Sequence, residues 1–169
     1  VTLDADSPSD TFLDDVEKIL GAYAYAWYTT HSSRKEAPRY RLVVPLSQRV
    51  EPEAYEAMAR RIAKDIGMDS FDPTTFEPSR LMYWPSCPRD GEYAMGARPG
   101  AFLAPDEVLA KYDDWKDAST WPMARSEIAI IHGGKKQQDP TTKKGVIGAF
   151  CRAHTIEDAI EEFLSDVYT

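Results

Sequence analysis

The order of two helical and four strand-like patterns constrains the fold of this chain more than any other feature of its sequence. Apolar residues recur at helical spacing in two segments, 12–20 and 52–66, and Gly21 and Gly67 stand where helices commonly end. Alternating or β-branched residues predict four strands, at 1–6, 22–30, 39–46 and 80–84. The predicted order is therefore β-α-β-β-α-β, which indicates the α+β class.

This order is typical of the split βαβ arrangement, an antiparallel sheet found in ferredoxin-like and RNA-recognition folds. A crossover through a helix makes strands one and two parallel, and likewise strands three and four, whereas the short connection makes strands two and three antiparallel. The C-terminal ends of the first two strands and the N-terminal ends of the last two then meet at one edge of the sheet, which we call the rim. Seven polar residues are predicted to lie there: Asp4, Asp6, His31, Arg39, Arg41, Asp72 and Arg80.

The chain is predicted to consist of a core at 1–125 and a linker with a small helical appendage at 126–169. A start at Val1 rather than Met leads us to expect a piece of a longer protein, with a core truncated at its N-terminus. Thr155 and Asp158 have the spacing of a capping box. The other predicted elements are a short strand at 92–95, helices at 105–112, 126–132 and 146–164, and a lysine-rich linker at 133–145.

The charge balance excludes one class of protein. The 169 residues carry 28 acids and 20 lysines or arginines, a formal net charge of −8, which argues against a histone-like coat for nucleic acid. Residues 31–49 nevertheless hold five basic residues and one acid. There is no run of about 18 apolar residues, so we expect no contact with a membrane. Cys87 and Cys151 lack metal-site spacing, which favours a reduced, cytoplasmic protein.

Asp4 and Asp6 stand two residues apart on the first predicted strand, so both side chains point to the same face of the sheet. Adjacent carboxylates repel each other unless a cation lies between them, and hard oxygen ligands select Mg²⁺ or Mn²⁺. Asp72, from a distant loop, would complete a site for one or two ions. The alternative is that Asp4 and Asp6 are solvated acids at the end of a strand.

The basic residues of the rim are candidates for binding a triphosphate. His31, oriented by Thr29, could donate to a phosphate oxygen, and the guanidinium groups of Arg80 and Arg41 suit phosphate geometry. The alternative is that they are exposed surface residues, solvated or paired with nearby acids.

Two further features could bind nucleic acid. Tyr83 and Trp84, on the fourth predicted strand, could stack on a base, but we expect them in the core beneath the helices. The lysines within 135–144 could contact a nucleic-acid backbone, and a solvated linker is the alternative.

Three short motifs, in this order, resemble those of the archaeo-eukaryotic primase superfamily. The first is an apolar run ending in Asp-x-Asp, the second is a small residue followed two positions later by His, and the third is an apolar residue followed by an acid. Here they are Leu3-Asp4-Ala5-Asp6, Thr29-Thr30-His31 and Phe71-Asp72. Asp69 also fits the third pattern, but the segment from Asp72 to Arg80 is more similar to the family's Asp-Pro…Pro-Ser-Arg stretch.

Longer segments are similar to the N-terminal module of prophage and plasmid replication proteins of the virulence-associated protein E type. They are Y-T-T-H-S, P-R-Y-R-L-V-V-P-L-S, E-P-S-R-L-M-Y-W-P-S, L-A-K-Y-D-D-W and K-K-G-V-I-G-A-F-C-R-A-H-T-I-E-D-A-I. In that family a primase-like module precedes a helicase-type ATPase. This chain has no G-x-x-x-x-G-K-[ST] motif, so we expect the ATPase outside it.

The resemblance implies template-directed nucleotidyl transfer in the cytoplasm of a bacterial host, encoded by a phage or another mobile element. The 3′-oxygen of a primer or first nucleotide would attack the α-phosphate of an NTP or dNTP, and pyrophosphate would leave. The implied partners are a single-stranded DNA template or primer-template and the helicase-type ATPase domain of the same full-length protein. The implied ligands of two Mg²⁺ or Mn²⁺ ions are Asp4, Asp6 and Asp72, and those of the nucleotide are His31, Arg80, Arg41 and Thr29.

Three other functions are compatible with parts of the pattern. A metal-dependent nuclease could use the same three acids but would not need His31 and Arg80. Toprim-type enzymes also use Asp-x-Asp, together with a glutamate on an earlier strand. A non-catalytic module that binds single strands or docks a helicase would expose aromatic residues on its open sheet face and would be indifferent to Mn²⁺.

Overall fold

The computed structural model of the chain describes residues 1–132, 140–142 and 144–163. The chain divides into two compact units, Val1–Ala129 and Ile130–Thr169. The first unit is a mixed α+β domain built on a four-stranded antiparallel sheet, which confirms the predicted fold class. The functional division at residue 125 stays a prediction.

The sheet contains four short strands in the order β1-β3-β2-β4, and all neighbours are antiparallel. The crossover from β1 to β2 encloses β3, and the crossover from β3 to β4 encloses β2, so each crossover passes one intervening strand, as the split βαβ arrangement requires. The order nevertheless departs from the predicted ferredoxin-like sheet, because β4 lies beside β2 and not beside β1. Tyr40 lies opposite both Ala5 and Thr29, so the rim forms where β1 and β2 end. The strands are β1 (Thr2–Ala5), β2 (Tyr25–Thr29), β3 (Tyr40–Val43) and β4 (Met95–Arg98).

The predicted fourth strand at 80–84 is wrong. Residues 80–88 have no regular secondary structure, and the sheet is completed by β4, which overlaps the strand predicted at 92–95 only at Met95. Prolines at 78, 85 and 88 disfavour a paired strand there because they lack an N–H donor. β4 itself contains Gly96, a poor strand former that is needed here because a Cβ would lie 2.6 Å from Nε1 of Trp27.

Two helices cover one face of the sheet: α1 (Phe12–Leu20) and α2 (Pro52–Ile66). Their buried residues join Leu3, Ala5 and Leu42 in one hydrophobic core, and the ring of Phe12 stacks on Tyr40 at 5.5 Å. Because side chains alternate along a strand, Asp4 points away from this core, to the face that we call the open face.

After α2 the chain returns to the free edge of β1. Phe71 forms an antiparallel bridge with Ala5, and the N–H of Asp72 donates to the carbonyl of Asp4 at 2.9 Å. The buried hydroxyl of Thr75 accepts from the N–H of Asp4 at 3.0 Å. The third sequence motif therefore lies beside the first.

Helices also follow the sheet, close to where they are predicted: α3 (Pro105–Leu109) and α4 (Arg125–His132). Within the described ranges, no helix combines the length and the apolar character that crossing a membrane requires. Short 3₁₀ helices occupy Met68–Ser70, Pro73–Phe76, Ala118–Thr120 and Pro140–Thr142.

Among the described residues beyond 143, the chain forms two α-helices, α5 (Val146–Ala153) and α6 (Ile156–Phe163), where the sequence predicts one helical tail. The break follows from the predicted capping box. The N–H of Asp158 donates to the hydroxyl of Thr155 at 3.1 Å, and the N–H of Thr155 donates to the Asp158 carboxylate at 2.9 Å. Most of the predicted linker at 133–145 lies outside the described residues.

Candidate functional site

The rim contains a cavity of about 180 Å³, which we call the rim cavity. Its walls come from the ends of β1 and β2, the start of β3, and the irregular segment 80–88. Five residues that the sequence predicts at the rim line it: Asp4, Asp6, His31, Arg39 and Arg41. The remaining lining residues are Tyr28, Thr30, Ser32, Tyr83, Trp84 and Ser86.

Asp4 and Arg41 face each other across β1 and β3 and form a bidentate ion pair. The Nε atom of Arg41 donates to Oδ1 of Asp4 at 2.5 Å, and Nη2 donates to Oδ2 at 2.9 Å. Burial lowers the pKa of Arg41, but hydrogen bonds with Asp4 and Tyr28 and the charge of Asp4 outweigh it, so the pKa is raised overall. Arg41 is therefore a permanent cation in the rim cavity.

Asp6 and Arg39 form a second, looser pair, with Nη1 of Arg39 at 3.3 Å from Oδ1 of Asp6. The side chains of this pair are 43% and 42% exposed, against 15% and 9% for Asp4 and Arg41. An exposed pair contributes about 0–1 kcal/mol, so it opens at little cost. The rim cavity thus combines one fixed ion pair with one that a ligand can separate.

His31 follows β2 and connects two walls of the cavity. Its Nδ1 lies 3.2 Å from Oγ of Ser86, and its carbonyl accepts from Nη1 of Arg34 at 3.3 Å. The hydroxyl of Ser33 accepts from the N–H of Arg39 at 3.1 Å, which folds the loop back on β3. The imidazole is thereby positioned between the β2–β3 connection and segment 80–88.

Asp72 and Arg80 lie beside the rim cavity but do not line it. The Asp72 carboxylate caps a 3₁₀ helix by accepting from the N–H of Thr74 at 3.0 Å and from its hydroxyl at 2.7 Å. Nη2 of Arg80 is 3.9 Å from Oδ2 of Asp72. The backbone of Asp72 lies next to that of Asp4, since the two are hydrogen-bonded. The Asp72 carboxylate is nevertheless outside the cavity, because its side chain is directed to Thr74.

The structure does not bring the side chain of Thr29 into the cavity. Thr29 is buried, and its hydroxyl accepts from the N–H of Ala94 at 3.0 Å and donates to the Ala94 carbonyl at 3.3 Å. Tyr28 lines the cavity instead, because it points to the open face while Trp27 packs against the core. The alternation of β2 is the signal that could have identified Tyr28 from the sequence.

Tyr83 and Trp84 are not core residues, contrary to the sequence-based expectation. Their exposed fractions are 74% and 91%. They belong to segment 80–88, which is not a strand beneath the helices but borders the open face of the sheet. The carbonyl of Tyr83 attaches the segment to the sheet, since it accepts from Nη1 of Arg41 at 2.6 Å and from the Tyr28 hydroxyl at 3.4 Å.

The carboxylate oxygens in the rim cavity are of the kind that bind a divalent metal ion. Mg²⁺ is usually held by one or two carboxylates together with substrate phosphates and water, and Asp4 and Asp6 present two carboxylates to one cavity. A carboxylate has about four lone-pair positions, so Asp4 can bind Arg41 and still offer a position to a cation. In the part of the chain that the structure describes, no group of three or more His, Cys, Asp or Glu side chains is arranged to hold a metal ion.

The fold and the rim together define a class: a split βαβ domain with acids and arginines gathered at one edge of its sheet. The family model described as the VapE N-terminal domain matches residues 1–124. The chain belongs to this family, which confirms the resemblance to the primase-like module of virulence-associated protein E and associates the domain with replication-type proteins. No curated protein and no solved structure matches the chain.

Proposed function

We propose that this domain is a primase-polymerase-type nucleotidyltransferase that moves a nucleotide from an NTP or dNTP to a 3′-hydroxyl on a DNA template. One observation carries the proposal: Asp4 and Asp6 share a cavity with Arg39, Arg41 and His31. A metal–triphosphate complex requires both sets, because carboxylates bind the cation and basic groups bind the phosphate oxygens.

The two ion pairs would respond differently to this ligand. The exposed pair would separate, so that Asp6 binds the cation and Arg39 binds a phosphate oxygen. The buried pair would stay together, with Arg41 fixing the direction of the Asp4 carboxylate. Positioning and charge neutralisation of this kind supply most of the catalysis in phosphoryl transfer.

His31 would bind the triphosphate through its second ring nitrogen. With Nδ1 held by Ser86, Nε2 is the atom that would donate to a phosphate oxygen. Arg80 would join the triphosphate, and Asp72 the metal, after their side chains turn from each other toward the cavity.

The reaction breaks one bond and forms one. The 3′-oxygen attacks the α-phosphorus, the bond from the α-phosphorus to the bridging oxygen breaks, and pyrophosphate leaves while the hydroxyl proton passes to water. When bound, Mg²⁺ or Mn²⁺ supplies charge neutralisation at the attacking and leaving oxygens. The template and the helicase-type ATPase of the same protein belong to this proposal as partners.

A thermal-shift comparison tests the site without requiring the domain to be active. We expect dNTP and Mn²⁺ together to raise the Tm, and each alone to do little, because a ligand at 100 times its Kd adds about 2.7 kcal/mol. Asp6→Asn should remove the joint shift while the protein without ligand keeps its Tm. Absence of a joint shift in the wild-type chain would contradict the proposal, and primer-extension assays follow a positive result.

The exposed aromatic residues favour a second candidate, a non-catalytic module that binds single-stranded nucleic acid. Tyr83 and Trp84 are the kind of stacking platform that such modules use. This candidate predicts oligonucleotide binding that is indifferent to Mn²⁺ and no thermal shift with dNTP. A nuclease would instead degrade DNA with metal ions alone, in the same set of assays.

A further inference from the structure

Segment 80–88 borders two cavities of different chemical character. The rim cavity contains the charged side chains of Asp4, Asp6, Arg39 and Arg41, whereas a second cavity of about 320 Å³ is lined mainly by apolar and aromatic side chains, with no charged one among its described residues. We call the second one the apolar cavity; Val43, Met82 and Pro85 contribute to it, with Thr2 at its edge. Three aromatic residues, Tyr28, Tyr83 and Trp84, line both cavities.

A nucleotide has the same two-part chemistry. Its triphosphate is an anion that needs cations and guanidinium groups, whereas its base has two flat faces that stack well on aromatic rings. A ligand with its phosphates in the rim cavity can therefore place its base against the shared aromatic wall. The 91% exposure of Trp84 leaves that large side chain available to a ligand.

We propose that Trp84 and Tyr83 bind the base of the incoming nucleotide at the mouth of the apolar cavity, with Val43 and Met82 forming its floor. The inference rests on the proposed function for the position of the phosphates. Apolar and aromatic contacts form no hydrogen bonds with the edges of a base, and these edges are what distinguish the four bases. The four nucleotides should therefore bind with similar affinity. That property suits an enzyme in which the template, and not the protein, selects the nucleotide.

Calorimetric titrations in Mn²⁺ with dNTP and with inorganic tripolyphosphate separate the base from the phosphates. We expect Trp84→Ala to weaken dNTP binding about tenfold and to leave tripolyphosphate binding within about twofold of the wild type. Trp84→Phe should restore most of the dNTP affinity because it keeps an aromatic face. Leu81→Ala is the matched control, since Leu81 is an exposed residue of the same segment that lines neither cavity.

A second variant tests the floor of the apolar cavity from another element. Val43 is half-buried on β3, and Val43→Phe would fill part of the cavity without touching the rim. We expect it to weaken dNTP binding and to spare tripolyphosphate binding. Unchanged dNTP affinity in both Trp84→Ala and Val43→Phe would overturn the inference.

Two other results would also overturn it, and they separate its failure from that of the proposed function. In the first result, tripolyphosphate binds the wild-type protein as tightly as dNTP does. The base would then contribute nothing to affinity, and the protein would have a phosphate site but no base site. In the second result, Trp84→Ala weakens the binding of a short oligodeoxynucleotide but not the binding of dNTP. That result would show that Tyr83 and Trp84 contact the template strand and not the incoming nucleotide. Failure of both dNTP and tripolyphosphate to bind would remove the proposed function together with the inference.

Discussion

Arg41 binds Asp4 through two nitrogens and the carbonyl of Tyr83 through the third, at 2.5, 2.9 and 2.6 Å. One guanidinium therefore joins two strands of the sheet to segment 80–88, which carries the exposed aromatic residues. Loss of the Arg41 side chain would disturb folding and ligand binding at once, so the two effects have to be separated with other variants.

Asp4→Asn should destabilise the fold, whereas Asp6→Asn should not. Asp4→Asn leaves Arg41 as a largely buried cation without its carboxylate, which lowers the free energy of unfolding by about 3 kcal/mol. The pair of Asp6 and Arg39 is exposed, so its loss costs about 1 kcal/mol or less. Urea denaturation followed by circular dichroism measures both values. Equal losses would contradict the distinction between a fixed pair and an open one.

Arg39→Ala should weaken dNTP binding in Mn²⁺ by about tenfold or more, because a hydrogen bond to a charged group contributes about 1.5–3 kcal/mol. It should lower the Tm only slightly, because the exposed ion pair contributes about 1 kcal/mol or less. Arg98→Ala is the matched control. Arg98 forms a similarly exposed ion pair with Glu17 and lies beside the first residue of β2, at the opposite end of that strand from the rim. Calorimetric titration of the two variants gives the comparison, and similar affinities for both would argue against Arg39 as a phosphate ligand.

Arg60 should couple strongly to Glu127. Its Nη1 and Nη2 donate to the Glu127 carboxylate at 3.1 and 3.0 Å, and its guanidinium lies 4.8 Å from the ring centre of Phe76. A double-mutant cycle of Arg60→Ala and Glu127→Ala should give a coupling of about 1–2 kcal/mol in the free energy of unfolding. The exposed pair of Arg125 and Asp69 should give about 0.5 kcal/mol or less in the same kind of cycle.

Alkaline pH should destabilise the domain through two tyrosines. Burial raises the pKa of Tyr112 to about 12, and burial followed by the hydrogen bond to Glu17 raises that of Tyr25 to about 12. The unfolded chain loses these protons near pH 10, before the folded chain does, so the free energy of unfolding falls between about pH 10 and 12.

Urea denaturation across this pH range measures the effect. Tyr112→Phe should reduce the slope of the free energy of unfolding against pH, because the variant has one fewer group that ionises differently in the two states. A slope identical to that of the wild type would show that Tyr112 ionises alike in both states.

The sequence predicted α1, α2 and the first three strands because helical and alternating periodicity are local properties of the chain. The same alternation placed Asp4 and Asp6 on one face of the sheet. It failed for β4, whose pairing with β2 joins residues far apart in sequence and depends on the close approach of Gly96 to Trp27.

The remaining site residues depend on contacts that no periodicity describes. The direction of Asp72 is set by its capping of Thr74, and that of Thr29 by its two hydrogen bonds to the backbone of Ala94. Segment 80–88 has apolar and aromatic residues like a strand, but its course follows from its prolines and from the contact of Tyr83 with Arg41. These side-chain directions depend on tertiary contacts, which local sequence patterns do not predict.

The three ion pairs of the rim have a kinetic consequence. Three acids and three arginines sum to no net charge, so their field is weak beyond a Debye length, which is about 8 Å at physiological ionic strength. A polyanion that approaches a chain of net charge −8 is not steered to the rim from a distance. The association rate constant would then be about 10⁵–10⁶ M⁻¹s⁻¹, as for partners without electrostatic steering, and nearly independent of salt. Any effect of ionic strength on affinity would come from the dissociation rate constant.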